Sequence, residues 1–364
     1  MNLVFLLNSV INNDKIYLNI IGDEFMATET ITVQKKKKHI LRKILCIILA
    51  IILLLAIEKT ISVTWHSNPK NIIQYETDNR YIANGNMPFV SAHRCGGGIM
   101  PEESMMAFEN CVTNPDFNID VFEFDLHITK DEQLVLLHDD TLDRTTDSEE
   151  VFGVKDAKPE DYTYDELRKL NIGAKFEDED GNMPYADLHG DEVPDTLKIV
   201  KVDDLLDYLA QYGNYDYIIE IKNSEDLGKK GVDILYDILL ERNLLDKVIF
   251  GTFNEEVSLY VDEKHPDLKR SATINEVLDF YSAAMKDEEN FEAKYIALQI
   301  PYNMPYRMIV NLGTAKVINY AHKHNIAVQY WTINKESELK YLSSIGADCI
   351  MSDYPDKLYS IIHE

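Results

Sequence analysis

Short apolar runs of β type alternate with amphipathic stretches of helical type from Phe89 to the C-terminus. The strand-like runs lie at residues 89–92, 121–126, 217–221, 248–252, 269–272, 295–299, 327–332 and 349–352. The helical patterns lie at residues 104–113, 202–212, 231–242, 255–264, 276–283, 315–324 and 336–345, with a last one after Pro355. Such alternation predicts an α/β chain of parallel β/α units. The most economical arrangement of eight such strands is a closed (β/α)8 TIM barrel.

Two stretches depart from this alternation. Residues 134–137 predict a short strand after the turn at 130–133, so the second strand continues into a hairpin. The acidic segment at about 147–196 follows neither period and contains the run EDEDGNMP. We therefore predict a small insertion after the second strand of a barrel domain that spans residues 87–364.

An apolar run near the N-terminus predicts a membrane segment. Six cations, four of them at 35–38, precede the apolar residues 44–57, and the run can extend to Val63. We predict one transmembrane helix at residues 40–63, ahead of the barrel. The positive-inside rule places residues 1–39 in the cytoplasm and the barrel outside, as in a single-pass protein of the cell membrane. A cleaved signal sequence is the alternative.

The sequence also makes predictions for the segments that flank this helix. Met26 directly precedes a short polar stretch and the basic cluster, which is the usual layout of an anchor. We therefore predict that translation starts at Met26 and that residues 1–25 are not translated. Residues 64–86 are polar and predict a linker into the barrel domain.

Charge and cysteine content argue against two classes of function. The chain has 63 acidic and 36 basic residues and a formal charge of −27, so non-specific binding to nucleic acid is not expected. The four cysteines show no CxxC or Cys/His ligand spacing, which argues against a zinc site. In so acidic a domain, any phosphate ligand needs a local cation.

Acidic side chains on two predicted strands form a candidate metal site. Glu123 and Asp125 are two residues apart in an apolar strand, so both point to the same face. Glu220 interrupts the next apolar barrel strand, YIIEIKN, in the same way. Carboxylates that converge at the strand ends of a barrel repel one another, and a hard divalent cation relieves the repulsion. The alternative for these residues is a solvated strand face.

Basic side chains near strand ends are candidates for phosphate binding and proton transfer. His93 and Arg94 end the first strand, and His138 ends the short hairpin strand. Two imidazoles that titrate near neutrality can share acid and base roles, although any single histidine can equally be structural. Arg94 can bind a phosphate with two hydrogen bonds. Lys222, beside Glu220, can hold a phosphate oxygen.

Two further residues are candidates for supporting roles. Trp331, at the end of the seventh strand, can form an apolar wall for the carbon part of a substrate, or can be a core aromatic. Glu102 follows Pro101 and can hydrogen-bond the loop after the first strand. It can alternatively cap the helix that begins near Ser104.

These elements and their order resemble the glycerophosphodiester phosphodiesterase family, whose members are metal-dependent phosphodiesterases on a (β/α)8 barrel. The shared motifs are HR with a downstream PE, ExD, HDxTLDRTT at 138–146, ExK, WTxN at 331–334 and SDYP at 352–355. The family usually has HRG and PENT, where this chain has HRC and PEES. These departures leave every charged catalytic position in place. They concern the shape of the first loop and therefore the substrate.

The resemblance implies a set of roles and a reaction. It assigns metal binding to Glu123, Asp125 and Glu220, acid/base catalysis to His93 and His138, and phosphate contacts to Arg94 and Lys222. The implied cofactor is one divalent metal ion, Ca²⁺ or Mg²⁺. The implied reaction is hydrolysis of a glycerophosphodiester to glycerol 3-phosphate and an alcohol.

Two alternative functions stay open. One is a phospholipase D-like enzyme on a related barrel, acting on lysophospholipid or sphingomyelin. The other is a catalytically silent surface module that binds glycerophosphate polymers. A membrane anchor makes a lipid or lipoteichoic acid substrate physically reasonable.

Overall fold

The computed structural model describes residues 25–66, 71–302 and 310–363. The chain divides into two compact units after Ile61. The described part of the first unit, which starts at residue 25, is helical throughout and belongs to one long helix, α1 (Phe25–His66). Its segment His39–Lys59 is long and apolar enough to cross a membrane, and it overlaps the transmembrane helix predicted at 40–63. Residues 1–24, which make up nearly all of the segment predicted not to be translated, lie outside the described residues.

The second unit is the predicted (β/α)8 barrel. Its strands are β1 (Phe89–Ala92), β2 (Val121–Ile128), β3 (Leu134–Leu136), β4 (Asp216–Ile221), β5 (Val248–Gly251), β6 (Ala297–Pro301), β7 (Ala327–Trp331) and β8 (Cys349–Ser352). Their order in the sheet is β5-β4-β2-β1-β8-β7-β6. All of these neighbours pair in parallel, and β3 pairs with β2 as the antiparallel hairpin strand.

The strand predicted at 269–272 is much shorter in the structure. Between β5 and β6 the described chain forms only two isolated parallel bridges, Phe250 with Arg270 and Ser271 with Ala297. The Ser271 amide donates to the Phe250 carbonyl at 2.9 Å. These bridges close the ring of strands, so the barrel is kept although the regular strand is not.

A turn and a helix cap explain why this strand is so short. The turn before it ends at Leu268, whose amide donates to the His265 carbonyl. Thr273 then caps the next helix, which begins at Ile274, in a reciprocal capping box with Glu276. Only a few residues remain between the turn and the cap, too few for a longer β ladder.

Helices cover the outside of the barrel. They are α2 (Met105–Thr113), α3 (Ser148–Phe152), α4 (Tyr164–Leu167), α5 (Val202–Leu209), α6 (Glu225–Glu241), α7 (Glu255–Lys264), α8 (Ile274–Lys286), α9 (Ala315–Lys323), α10 (Glu336–Ser344) and α11 (Pro355–His363). In α5, for example, Val202, Leu205, Leu206 and Leu209 recur at helical spacing and are all buried. The main core lies between these apolar faces and the outer faces of the strands.

The predicted insertion at 147–196 contains the short helices α3 and α4, several 3₁₀ turns and no β-strand. It shares a small separate core with residues just before and after it, in which Leu142, Leu167 and Ile199 are fully buried. This segment follows the β2–β3 hairpin, as predicted.

The segment predicted as a linker, 64–86, differs in the structure. Its residues 71–86 lie against the barrel, where Tyr81 and Ile82 are buried with Val121 and Ile218 from the inner faces of β2 and β4. Two buried apolar residues in a polar stretch gave too weak a periodic signal to predict this. They close the end of the barrel at which the strands begin.

One buried carboxylate fixes this closed end. Asp348, directly before β8, accepts hydrogen bonds from the backbone amides of Ala83 at 2.8 Å and Val328 at 2.6 Å. The same carboxylate also contacts the ring of His322 on α9, whose Nε2 lies 2.8 Å from Asp348 Oδ2. A single side chain thus joins the closing segment, strand β7 and a covering helix.

Candidate active site

The three predicted metal ligands lie on the neighbouring strands β2 and β4. Glu123 and Asp125 are buried on β2, and Asp125 is in register with Glu220 on β4. All three line one cavity of about 620 Å³. Because the carboxyl ends of barrel strands form the site in such folds, this is the end of the barrel where chemistry is expected.

The carboxylates are crowded in a poorly solvated place. Burial, followed by the charge of Asp125, raises the pKa of Glu123 to about 7. The same two causes raise the pKa of Glu220 to about 7. In the described part of the chain, the buried Asp125 Oδ2 has no hydrogen-bond partner. The site therefore holds more negative charge than its surroundings stabilise.

Two cationic side chains contact these carboxylates. Lys222 Nζ lies 2.9 Å from Glu220 Oε1 and 3.5 Å from Asp125 Oδ1. Arg94 Nε lies 3.8 Å from Asp125 Oδ2. Burial lowers the pKa of Lys222, but the charges of Asp125 and Glu220 outweigh it and leave that pKa raised.

The donor set suits a hard divalent cation, although it is not gathered around one point. Among residues 25–66, 71–302 and 310–363, no group of three or more His, Cys, Asp or Glu side chains is arranged to hold a metal ion. The side chains of Glu123, Asp125 and Glu220 nevertheless supply only oxygen, which Ca²⁺ and Mg²⁺ prefer. The observation that fits such an ion is a buried carboxylate oxygen among them, Asp125 Oδ2, that has no hydrogen-bond partner in the described part of the chain.

His93 is held in a fixed orientation after β1. Its Nδ1 lies 2.7 Å from Asp353 Oδ1, and Thr332 Oγ1 lies 3.2 Å from its Nε2. Burial lowers the pKa of His93, but Glu123 and the hydrogen bond to Asp353 outweigh it, so the pKa is raised. Because Asp353 holds Nδ1, the ring nitrogen available for proton transfer is Nε2, which the Thr332 hydroxyl also approaches.

The loop after His93 turns sharply. Arg94 and Cys95 both have left-handed backbone angles, with φ of 47° and 57°. This turn directs the Arg94 amide to Glu123 Oε2, at 2.7 Å. The HRC sequence thus forms this loop with cysteine in place of the family's usual glycine at position 95. The loop holds the side chain of Glu123, one of the candidate metal ligands.

His138 belongs to a charged network on the other side of the hairpin. Its Nδ1 lies 2.6 Å from Asp139 Oδ1, and burial lowers its pKa. Arg144 binds Asp139 and, through two further hydrogen bonds, Glu102. Glu102 also accepts from Arg94 Nη1 at 3.1 Å. Glu102 therefore links the two histidine loops, and the cap of α2 is formed by Ser104 instead.

The structure brings most of the predicted site residues to one cavity. Those that line it are His93, Arg94, Glu123, Asp125, His138, Glu220 and Trp331. Lys222 lines a neighbouring depression of about 390 Å³ and reaches the carboxylates from there. Glu102 contacts the site through two arginines.

Sequence reasoning missed three residues of the site. Asp353 directly follows β8, and its position after a strand end could have indicated a role. Arg144 lies inside the HDxTLDRTT run, which carried only the family resemblance. Glu103 is 1% exposed, and its Oε1 accepts from the Asp125 amide at 3.0 Å. A glutamate in an acidic chain gives no sign of such burial.

Comparison with known proteins shows the family to which the chain belongs. The model of the Glycerophosphoryl diester phosphodiesterase family matches residues 93–357. The fold and this match define an enzyme, a phosphoric diester hydrolase on a (β/α)8 barrel. The chain belongs to the glycerophosphoryl diester phosphodiesterase family.

Relatives cover the same part of the chain. The Glycerophosphodiester phosphodiesterase of Bacillus subtilis is 27% identical over 276 residues, 74% of this chain and 85% of that protein. The human Lysophospholipase D GDPD1 is 27% identical over 307 residues, 75% and 85% of the two chains. A phosphodiesterase of Oleispira antarctica, solved in complex with the product sn-glycerol-3-phosphate, has a TM-score of 0.56 at 21% identity and covers 76% of this chain and 98% of its own. This last likeness supports the fold.

Proposed function

We propose that the enzyme hydrolyses glycerophosphodiesters to sn-glycerol 3-phosphate and an alcohol, using a divalent metal ion and two histidines. The family membership supports the substrate class, as does the product bound to the Oleispira antarctica phosphodiesterase. One observation carries the proposal. His93 and His138, each with its own carboxylate partner, line the same cavity as three acidic side chains.

Glu123, Asp125 and Glu220 would hold the metal ion. Bound there, Ca²⁺ or Mg²⁺ would neutralise charge on a phosphate oxygen and make phosphorus more open to attack. The raised pKa values of Glu123 and Glu220 support this assignment, because a bound cation would favour the ionised forms of both carboxylates.

The two histidines would move the protons. One ring takes a proton from the attacking oxygen, which belongs either to water or to the neighbouring glycerol hydroxyl. The other ring gives a proton to the departing alkoxide as its bond to phosphorus breaks. Asp353 and Asp139 each hold one Nδ1, which leaves the Nε2 atoms for these transfers. If the glycerol hydroxyl attacks, a cyclic phosphate forms first and water then opens it, so both routes consume one water.

Arg94 and Lys222 would bind the phosphate. Both already lie beside the carboxylates at the centre of the site. Their positive charges would offset the acidic surroundings and stabilise the transition state. Trp331 would contact the carbon part of the substrate from the cavity wall.

The polymer-binding alternative explains these contacts less well. Binding a glycerophosphate polymer requires cations, but it does not require two imidazoles with carboxylates behind them. Each of these histidines has such a partner at 2.7 Å or less. That arrangement is typical of acid and base catalysis.

The proposal includes a place in the cell. We infer that α1 anchors the enzyme in the cell membrane, with residues before His39 in the cytoplasm and the barrel outside. The segment His39–Lys59 supports the anchor by its length and composition, and the cluster of six cations before residue 44 supports the orientation.

Release of glycerol 3-phosphate from glycerophosphocholine tests the activity. The full chain should release it, EDTA should stop the release, and added Ca²⁺ or Mg²⁺ should restore it. Lysophosphatidylcholine in a parallel reaction separates this activity from a phospholipase D-like one. Release that survives exhaustive chelation would contradict the metal, and intact diesters with either ion present would contradict the hydrolase.

A further inference from the structure

The catalytic cavity is chemically divided along the ring of strands. Its charged residues come from β1, β2, the β3 hairpin and β4. The other part of the cavity is largely apolar. It is formed by residues that follow β5, by the bridge segment (residues 269–272, which form the two isolated bridges), by α8, and by residues on and after β6 and β7. We call six of its lining residues the apolar arm: Phe253, Ile274, Val277, Leu278, Val310 and Trp331.

Part of the apolar arm is a stripe on α8. Ile274, Val277 and Leu278 are spaced at i, i+3 and i+4, so they share one face of the helix. Ile274 is 57% exposed, Leu278 49% and Phe253 53%. Large apolar side chains grouped at a cavity and open to water mark a surface that something apolar covers.

The apolar arm begins beside the catalytic charges. Lys222 Nζ lies 5.6 Å from the ring centre of Phe253. Phe253 in turn meets Trp331 edge to face, with ring centres 5.9 Å apart. The lysine that contacts the carboxylates therefore also contacts the first ring of the arm, and the two parts form one continuous cavity.

We propose that the apolar arm binds an unbranched hydrocarbon chain on the leaving alcohol of the substrate, because the other proposed product is glycerol 3-phosphate without a chain. The inference rests on the proposed function, which places the phosphate at the charged end. An amphiphile with a phosphate at one end and a hydrocarbon chain at the other matches this division of charge. A cavity of about 620 Å³ is in the range that encloses a drug-sized ligand, so there is room for more than glycerophosphate.

Other occupants match the apolar arm less well. A diester with only small polar groups leaves these side chains in water, and their burial then contributes nothing. A protein partner covering the arm would also cover the entrance for the substrate. A hydrocarbon chain removes the apolar surface from water while its own phosphate occupies the catalytic end.

The test combines turnover with binding, on the full chain in lipid nanodiscs. Turnover is measured on glycerophosphocholine, which carries no hydrocarbon chain, and on glycerol 3-phosphate esterified to butanol, hexanol or octanol. The esters place the chain on the leaving alcohol and release the same product, glycerol 3-phosphate. Binding of butyl, hexyl and octyl phosphate is measured by calorimetry.

Chain length should improve both kcat/KM and affinity, by about tenfold for every two methylenes that enter the arm. Leu278→Gln should lower the gain at least threefold. Leu240→Gln is the matched control, because Leu240 is similarly exposed, at 52%, on α6. Partition of the probes into the bilayer is common to both variants.

Two results would overturn the apolar arm: equal kcat/KM and affinity at all chain lengths, or the same gain in Leu278→Gln as in Leu240→Gln. Glycerophosphocholine turnover without a chain-length gain would leave the proposed function standing and remove the arm. Binding of alkyl phosphates that improves with length and is weakened by Leu278→Gln, without turnover of any diester, would keep the arm and remove the hydrolase.

Discussion

At the scale of single residues, the site consists of side chains held by their neighbours. His93 and His138 each contact a carboxylate through Nδ1. Arg144 and Arg94 both donate hydrogen bonds to Glu102, which therefore connects the loop of His138 to the loop of His93. Fixed donors and acceptors of this kind need little rearrangement when charge moves during the reaction.

Each histidine should be required for turnover. We expect His93→Ala and His138→Ala to lower kcat by a factor of about 10²–10⁴ or to abolish it, because a proton-transfer group is lost. The measurement is release of glycerol 3-phosphate, with circular dichroism to confirm the fold. His265→Ala is the matched control, since His265 also pairs with a carboxylate, Asp233, but on the outer helices. Activity near the wild-type value in either site variant would refute its role.

The sequence predicted the charged centre of the site better than its surroundings. Glu123, Asp125 and Glu220 were predictable because acidic residues interrupt apolar strands, and the structure places all three at one cavity. The ion pairs of Lys222 with Asp125 and Glu220 were not predicted, because the sequence shows only that Lys222 lies two residues after Glu220. Glu103 was not predicted at all, because its burial depends on a left-handed turn, with φ of 59°, that the sequence does not indicate.

At the scale of elements, the periodicity of the sequence predicted the barrel. It failed at one predicted strand, where side-chain hydrogen bonds hold the chain in place of a regular β ladder. The bridge segment at 269–272 looks like a strand in sequence, and a turn and a cap cut it short. Arg270 holds this segment instead. Its guanidinium binds Asp262 on α7 and Glu276 on α8, each with two hydrogen bonds.

This arginine should carry much of the local stability. Arg270 is 3% exposed, so Arg270→Met leaves two carboxylates without their partner and should cost about 3 kcal/mol in free energy of unfolding. Denaturant unfolding measures the loss. Arg242→Met is the control, because Arg242 also binds two aspartates but at the surface. It should cost less than about 1 kcal/mol, and equal losses would refute the special role of Arg270.

Acid should weaken the same cluster. Burial raises the pKa of Glu276, but the hydrogen bonds from Arg270 outweigh it and leave the pKa lowered. A group with a lowered folded pKa stabilises the fold above its unfolded pKa, about 4.3, and that contribution is lost as pH falls through the folded value. The stability difference between the wild type and Glu276→Gln should therefore shrink below about pH 4.

At the scale of the whole molecule, the chain joins a helix that can span a membrane to an acidic barrel. Strand and helix periods predicted the order of elements from β1 to α11, apart from the two short helices of the insertion and the irregular segment at 269–272. The closing segment around Tyr81 was not predicted, because it is held by two apolar side chains in a polar stretch and by hydrogen bonds to distant residues. Contacts between residues more than 200 positions apart leave no local pattern in the sequence.

The proposed anchor makes a prediction for intact cells. The full chain should sediment with membranes and resist extraction by alkaline carbonate, because α1 buries an apolar span. Protease added to intact cells should degrade the barrel and spare a tag placed before the basic cluster. Replacing Leu53 and Leu54 by Lys should release the protein from the membrane fraction. A soluble barrel secreted without its N-terminal tag would instead indicate a cleaved signal.

Asp348 has a consequence for how such an enzyme can change. It ties the closing segment, β7 and α9 together at the end of the barrel away from the chemistry. Mutational tolerance should therefore be unequal, low around this junction and high in the loops at the opposite mouth. Loops there can be exchanged between relatives to introduce new specificities, provided that His93, Arg94, Glu102 and Glu103 are retained.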